Sequence, residues 1–420
     1  MLEYLKLHNV GPSPDLEMDL GRRVNVITGD NGLGKSFLLD IAWWALTRTW
    51  SGLPARPIPG RNGASIAFRF EGKVKANEYT STFDRGAQAW TARAGRPANP
   101  GLVLYAQVDG GFSVWDPARN YWRKKGNVDV QDRPSAYLFR PTEIWDGLAV
   151  EGNVLCNGLI RDWSSWQKEA GLAFDHLKAA LTKLSPSEEE EIRPGKPTRI
   201  SLDDVRDIPT LRMPYGQEVP VLHASAGMKR IIGLAYLLVW TWHEHQRASE
   251  LLGQKVTRQV TFLIDEVESH LHPRWQRVIL RSLLQVMDAL TGTTGSTVQV
   301  LAATHSPLLL ASLEPLFDAG SDKLFHLDLR RELVVLDDVA WAMQGDTTNW
   351  LVSPVFGLQQ ARSVEAERAI EAAEAWMRDE KTALPPGLKT REKIHQELRR
   401  TLAGHDPFWP RWVVKYEARG

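Results

Sequence analysis

Eight residues near the N-terminus, Gly29-Asp30-Asn31-Gly32-Leu33-Gly34-Lys35-Ser36, fit the pattern G-x-x-x-x-G-K-[ST] in full. Glycines so placed let successive backbone N–H groups turn inward around phosphate oxygens, and a helix opening at Lys35 and running through Phe37 adds the positive end of its dipole. In this pattern Lys35 bridges the β- and γ-phosphates of a nucleoside triphosphate, and the Ser36 hydroxyl ligates Mg²⁺. A second group lies far along the chain, where apolar Phe262-Leu263-Ile264 runs into Asp265-Glu266. A strand buried to its last residue delivers Asp265 to a sheet edge, where it can hold Mg²⁺. Glu266, one step on, projects differently and can polarise an attacking water as general base. His305 ends the next apolar strand, a place where ligands bind in open α/β sheets, and can sense a γ-phosphate. Finally, Ser225-Ala226-Gly227-Met228-Lys229 presents a second helix N-terminus with a hydroxyl. A plain Ser N-cap explains the same residues, and the two roles are compatible.

The elements needed to place these groups are legible around them. Val24-Asn25-Val26-Ile27-Thr28 reads as a strand into the glycine loop, and Phe37, Leu38, Ile41, Trp44 and Ala45 follow at helical spacing. A helix after Gly227 carries Met228, Ile231, Ile232, Ala235, Leu238, Val239 and Trp242. Strand Val260–Ile264 follows, then a helix with Trp275, Ile279, Leu283 and Met287 on one face, then strand Val298–Ala303. Such alternation of buried strands and amphipathic helices predicts a parallel sheet covered on both faces. From Gly52 to Asn120, turn-rich sequence with alternating Ser65–Phe70 and apolar Leu102–Tyr105 suggests an antiparallel sheet inserted beside the main core. Leu159–Leu184 reads as one or two helices ending at Ser185-Pro186 and an acidic run, Glu188–Glu191. Ala361–Lys381 and a segment ending near Leu402 read as two more, followed by an aromatic, Pro-broken tail. The expected divisions are residues 1–155 (first part of the core, with a β-rich lobe), 156–220 (helical insertion and linker), 221–340 (second part of the core) and 341–420 (helical extension).

With 420 residues, the chain is long enough for two or three domains. Its 51 Lys+Arg balance 51 Asp+Glu, which argues against bulk electrostatic coating of nucleic acid. The single cysteine, Cys156, excludes an intrachain disulfide and a Cys-rich zinc site. No basic segment followed by an apolar stretch opens the chain, and Ile231–Trp242 is too short to span a bilayer. A cytoplasmic protein with no membrane partner is expected. Two features stay open. Tyr121 and Trp122 among Arg119, Arg123, Lys124 and Lys125 suit either a nucleic-acid contact or a solvated hairpin tip. Phe408, Trp409, Trp412 and Tyr416 suit either a partner anchor or a plug in the protein's own helical hairpin.

In this order the motifs resemble the ABC-type ATPase heads of the SMC, RecF and OLD families: phosphate loop, insertion, signature at Ser225–Lys229, Walker B at Asp265-Glu266, switch at His305. Glu266-Val267-Glu268-Ser269-His270-Leu271-His272-Pro273 resembles their E-P-E-x-H-L-H-P stretch, with Val267 in place of proline and Ser269–His272 as the D-loop. Thr304-His305-Ser306-Pro307 resembles the T-H-S-P switch. Lack of heptads separates the chain from SMC proteins. Beyond His305 there is Asp337-Asp338 but no D-x-D, which separates it from OLD nucleases. The remaining likeness, including Phe356-Gly357-Leu358 and Arg362-Ser363, is to stand-alone Septu-type and retron-associated ATPases of anti-phage defence. That resemblance implies an α/β ABC-ATPase head with a β-rich lobe, a helical insertion and a C-terminal helical extension. It implies ATP and Mg²⁺ as cofactors, with Gln107 as the Q-loop metal contact and Ser225, Ala226 and Gly227 as contacts to ATP across a homodimer or higher oligomer. It also implies a separate HNH-type nuclease partner, with nucleic acid met through the complex. A RecF-like repair ATPase that binds DNA directly is the alternative, and a nucleotide-binding scaffold without turnover is a third, which intact Glu266 disfavours.

Overall fold

The computed structural model describes residues 1–71, 77–91, 99–120, 134–291 and 296–417. The stretch Tyr121–Lys125 lies outside the described residues, as does the side chain of Tyr416. The chain clusters into two compact units, Met1–Met343 and Gln344–Gly420.

The first unit begins with β1 (Leu2–His8), β2 (Asp15–Asp19), β3 (Val24–Gly29), α1 (Lys35–Thr47), β4 (Ser65–Phe70), β5 (Asn77–Asp84), β6 (Ala89–Trp90), β7 (Leu102–Ala106), β8 (Phe112–Trp115) and β9 (Tyr137–Phe139). There follow α2 (Pro141–Asp146), the hairpin β10 (Leu148–Val150) and β11 (Asn153–Cys156), α3 (Leu159–Glu169), α4 (Leu172–Leu184), and the meander β12 (Arg193–Pro194), β13 (Thr210–Arg212) and β14 (Glu218–Pro220). The unit ends with α5 (Ala226–Leu251), β15 (Gln259–Ile264), α6 (Pro273–Gln276), α7 (Ile279–Thr291), β16 (Thr297–Ala303), α8 (Pro307–Leu313), β17 (Lys323–Arg330) and β18 (Leu333–Val339).

Eight strands form the central sheet, in the order β18-β17-β3-β16-β15-β7-β8-β9. The five from β17 to β7 pair in parallel. Strands β18, β8 and β9 add antiparallel edges. A smaller antiparallel sheet, β2-β1-β4-β5-β6, packs over α1. Its Leu5, Phe68 and Phe70 share one core with Trp43 and Trp44 of α1 and with Leu263, Leu301 and Phe325 of the main sheet. Full burial of a side chain such as Phe68 contributes about 1.5–3 kcal/mol, so this face anchors the phosphate-loop helix firmly. On the other side α5, α4 and α7 pack together, with α7 against β16. Burial of α5 from Ile231 to Trp242 accounts for its unbroken apolar run, and no described helix is long and apolar enough to cross a membrane.

Two expectations are corrected. Strand Leu102–Tyr105 is not part of an inserted antiparallel sheet: as β7 it pairs in parallel with β15 in the main sheet. All five of its residues are buried, which is how a strand covered on both faces reads, whereas β4 alternates as a half-covered strand does. The helix expected to carry Trp275 and Met287 together is two helices, α6 and α7. Trp275 turns away to donate its indole N–H to the Leu184 carbonyl at 3.0 Å, while Ile279, Leu283 and Met287 line the buried face of α7. The acidic run after α4 is a turn in which Glu190 pairs with Arg274, and Glu191 with Arg193.

The second unit holds α9 (Thr347–Val352), α10 (Val364–Met377), α11 (Arg391–Thr401) and α12 (Trp409–Glu417). Helix α10 is shorter than Ala361–Lys381 because Ser363 caps it, its hydroxyl accepting from the Ala366 N–H, while Arg362 turns to a two-pronged pair with Asp406. The tail is helical rather than broken, since Pro410 sits in its first turn, where a missing N–H costs nothing. Alanines 366, 369, 372 and 373 leave room for Phe408 and Trp412, both buried in this unit's core. Trp412 meets Trp376 edge-on at 5.7 Å and donates its indole N–H to His395 Nδ1 at 3.0 Å. Those two rings plug their own hairpin and are not available as partner anchors.

Candidate nucleotide site

Strands β3, β16 and β15 lie side by side and parallel, so their carboxyl ends open on one edge of the sheet. The phosphate loop follows β3, Asp265 and Glu266 follow β15, and Thr304 and His305 follow β16. Gln107 follows β7, whose Ala106 carbonyl accepts the Asp265 N–H at 2.9 Å. Residues some 230 and 270 positions from the loop thus meet it by sheet order alone.

The loop has the backbone that its glycines permit. Gly29, Gly32 and Gly34 have φ of 135°, 80° and 103°. A Cβ at Gly29 would sit 2.4 Å from the Leu327 carbonyl, and one at Gly34 2.8 Å from Pro12, so neither position accepts a side chain. Asp30, Asn31 and Gly32 form the exposed crest, while Leu33 is half-buried against the core. Buried Lys35 curls back, donating to the Gly29 and Asp30 carbonyls at 2.8 and 2.9 Å. Burial lowers its pKa, against the opposing pull of Asp265, Glu266, Asp30 and Glu268. Ser36 is exposed beside Asp265. The Phe37 ring is half-buried, stacked where a Cβ of Gly11 would fall, so only its backbone can face a phosphate.

Asp265 is 2% exposed, and its Oδ1 has no hydrogen-bond partner. Burial raises its pKa first and Glu266 raises it further, against the Ser36 hydrogen bond and the charges of Lys35 and Arg230. An orphaned carboxylate oxygen beside an exposed hydroxyl, under a cradle with no room for side chains, is the donor set that a Mg²⁺-phosphate group requires. With the folded pKa above the unfolded one, the group's stabilising contribution is complete below the unfolded pKa and lost as pH rises through the folded pKa. Near neutrality the bare, ionised carboxylate is therefore a cost. We expect Asp265→Asn to raise the melting temperature of the nucleotide-free protein by about 1–2 °C, to flatten its pH dependence on the weakly acid side, and to abolish further stabilisation by Mg-ATP. A variant that melts lower without nucleotide, in calorimetry at pH 7, contradicts the burial cost.

Glu266 has φ of 45°, the left-handed region that costs a non-glycine residue about 1–2 kcal/mol. The surroundings hold it there. Arg230, one turn into α5, donates through Nη2 to the Asp265 carbonyl at 2.7 Å and the Glu266 carbonyl at 3.3 Å. The Val267 N–H reaches the Ala303 carbonyl at 3.2 Å. Half-buried His305 stands beside them, its backbone N–H donating to Glu268. The Gln107 side chain is turned over its own loop, Nε2 at 3.5 Å from the Ser51 carbonyl and Oε1 where a Gly111 Cβ would fall.

Ser225 caps α5, its hydroxyl accepting from the Met228 N–H at 3.3 Å, and both Ser225 and Ala226 are exposed. Gly227 touches the D-loop: a Cβ there would lie 2.4 Å from the His270 carbonyl. The signature therefore packs on its own chain's D-loop, backbone to backbone, with its hydroxyl end outward. Sequence reasoning assigned no role to Arg230 or Glu268. No local pattern marks either residue: Arg230 follows Lys229 at the head of α5, and both it and Glu268 act on backbone groups of another segment.

Residues 24–311 match the family model described as "AAA domain, putative AbiEii toxin, Type IV TA system". The "Septu protein PtuA" of Bacillus thuringiensis is 29% identical over 384 residues, 86% of each chain. The "Retron Vc95 probable ATPase" of Vibrio cholerae serotype O1 biovar El Tor is 28% identical over 102 residues, 23% of this chain and 17% of that one. Among solved structures, the "SMC head domain from Thermotoga maritima" aligns with a TM-score of 0.40 and 15% identity, over 81% of this chain and 99% of that one.

Proposed function

The chain belongs to the AAA-domain family whose model spans residues 24–311, and from that premise we propose that it is a Mg²⁺-dependent ATPase whose nucleotide-bound homodimer controls a separate HNH-type nuclease in anti-phage defence. One observation carries the catalytic part: Lys35, Ser36, Asp265, Glu266 and His305 converge on one sheet edge from three adjacent parallel strands. Lys35 and the loop amides would hold the β- and γ-phosphates, and Ser36 and Asp265, joined by Gln107 if its side chain swings out, would hold the metal. Bound there, Mg²⁺ supplies charge neutralisation between the phosphates. Glu266 would take the proton of the attacking water, and His305 would read the γ-phosphate.

The exposed end of α5 supports the dimer. Ser225 and Ala226 face away from their own fold, on a helix N-terminus that can meet an anion held by a second copy. In a two-fold arrangement each ATP would touch one protomer's Lys35 and the other's Ser225 and Gly227. Ser225→Arg should then prevent ATP-driven dimerisation, seen by light scattering, without loss of ATP binding. Mixing it with Lys35→Ala chains should leave at most one intact composite site per heterodimer. Dimerisation of Ser225→Arg like the wild type sinks the sandwich. The likeness to a Septu protein over most of both chains supports the effector part. Its test is copurification with the products of neighbouring genes and a nuclease assay with and without ATP.

A further inference from the structure

One carboxylate ties the segment after β15 to the segment after β16. Glu268 Oε2 accepts from the Thr304 hydroxyl at 2.7 Å, and Oε1 accepts from the backbone N–H of His305 at 2.5 Å. The two oxygens therefore bracket the peptide that carries the histidine. Around this bracket the backbone is fixed as well. Val267, between Glu266 and Glu268, is 2% exposed and its N–H reaches the Ala303 carbonyl, extending the β15–β16 pairing past Ile264. On the far side, the Ser306 hydroxyl donates to Gln276 Oε1 at 2.8 Å, and Gln276 Nε2 donates to the Leu271 carbonyl at 2.9 Å. The Glu268 carbonyl itself accepts the Leu271 N–H at 2.9 Å.

We infer that Glu268 is a positioning residue that locks His305 to the D-loop and to Glu266, so that general base, switch and D-loop move as one unit. This rests on the ATPase reading and extends it to regulation. A carboxylate fits the arrangement best. Both groups that face Glu268 are donors, so an ionised carboxylate satisfies both with its two oxygens, whereas an amide would turn an NH₂ toward one of them. The side chain length matters too, because the bracket spans from the residue after buried Val267 to two consecutive residues beyond β16. Since Gly227 of the signature packs on the carbonyl of His270, a shift of the signature helix reaches the D-loop by direct contact. Glu268 passes it on to His305, which gives a protomer a route from its dimer-facing surface to its own γ-phosphate sensor.

The test is a double-mutant cycle between Glu268 and His305 in the full-length protein, measured as steady-state ATP hydrolysis and ATP binding. Glu268→Ala is expected to lower kcat about 10²-fold, the loss that misplacement by about 1 Å typically brings. ATP affinity should not fall, because the Glu268 hydrogen bonds go to Thr304 and His305, and its charge acts on Lys35 only at longer range. In a His305→Ala background the same change should cost less than about threefold further, since the group it positions is gone. Glu268→Gln, of the same shape, keeps one acceptor and should recover part of the rate; it also serves where the alanine variant does not fold. Hydrogen exchange at the His305 amide should rise in both variants. Losses that multiply in the double mutant, a parallel fall in ATP affinity, or unchanged kcat in Glu268→Gln and Glu268→Ala alike, overturns the coupling alone. A wild-type protein that binds ATP but does not hydrolyse it overturns the ATPase reading, and this inference with it.

Discussion

Glu266→Gln is expected to lower ATP turnover about 10²–10⁴-fold, the usual cost of removing a general base, while ATP and Mg²⁺ still bind. The substitution keeps the shape of the side chain, and the left-handed backbone at this position is held by groups other than the carboxylate: Arg230 on the Asp265 and Glu266 carbonyls, and Val267 on Ala303. The geometry should therefore survive. Near neutrality, where Asp265 is already ionised, metal binding should not improve; the effect appears at lower pH, because Glu266 is one of the charges that raise the Asp265 pKa. Removing that negative charge lets Asp265 ionise more easily and accept Mg²⁺ at lower pH. The expected phenotype is thus a trapped state, with ATP affinity at least as high as the wild type and, on the proposed sandwich, a dimer that persists because its ATP is not consumed. Release of phosphate under single-turnover conditions checks the rate, and calorimetry checks the affinity. Equal turnover in the two proteins would remove Glu266 from the role of base.

How much of this was readable in the amino-acid sequence depends on the range of the interaction that fixes each feature. The phosphate loop is local: Gly29, Gly34 and Lys35 carry their own backbone requirements, and the β-branched run before them and the apolar helix after them agree. Asp265 and His305 were legible because each ends an uninterrupted buried strand, and the carboxyl ends of parallel strands gather at one edge. Strand β7 was misplaced because Leu102–Tyr105 is too short for its period to be told, and only its neighbour β15 decides which sheet it joins. The break between α6 and α7 was invisible because Trp275 and Ile279 are spaced as in one helix, while a contact with Leu184, 91 residues away, turns the first of them aside. Glu268 and Arg230 escaped for a related reason. Each acts on backbone groups of another segment, and no local pattern marks such partners. For the aromatic tail the sequence leaves both readings open, and the burial of Phe408 and Trp412 in one core with the alanines of α10 decides between them for these two rings.

Lys35→Ala is expected to raise the Kd for Mg-ATP about 10²-fold or more. Each hydrogen bond to a charged group is worth about 1.5–3 kcal/mol, and two such bonds to phosphate oxygens would be lost together with the charge. The nucleotide-free fold should tolerate the change. Lys35 bonds only the Gly29 and Asp30 carbonyls, at a loop whose crest is open to water. Its burial already works against its charge, although Asp265, Glu266, Asp30 and Glu268 favour keeping it. Loss of that cation leaves four carboxylates less well screened, which sets the direction of the small remaining effect: a lower melting temperature at neutral pH that recovers as the pH falls. Lys35→Met, which keeps the packing of the stem, separates lost charge from lost volume. Thermal shift gives the decisive comparison. At an ATP concentration 100 times the wild-type Kd, binding stabilises the wild type by about 2.7 kcal/mol, whereas a variant with a hundredfold weaker site keeps only about 0.4 kcal/mol. The nucleotide-dependent rise in melting temperature should therefore nearly vanish in both variants. If it persists, the phosphates bind elsewhere, and the convergence of β3, β15 and β16 on this edge is architecture without chemistry.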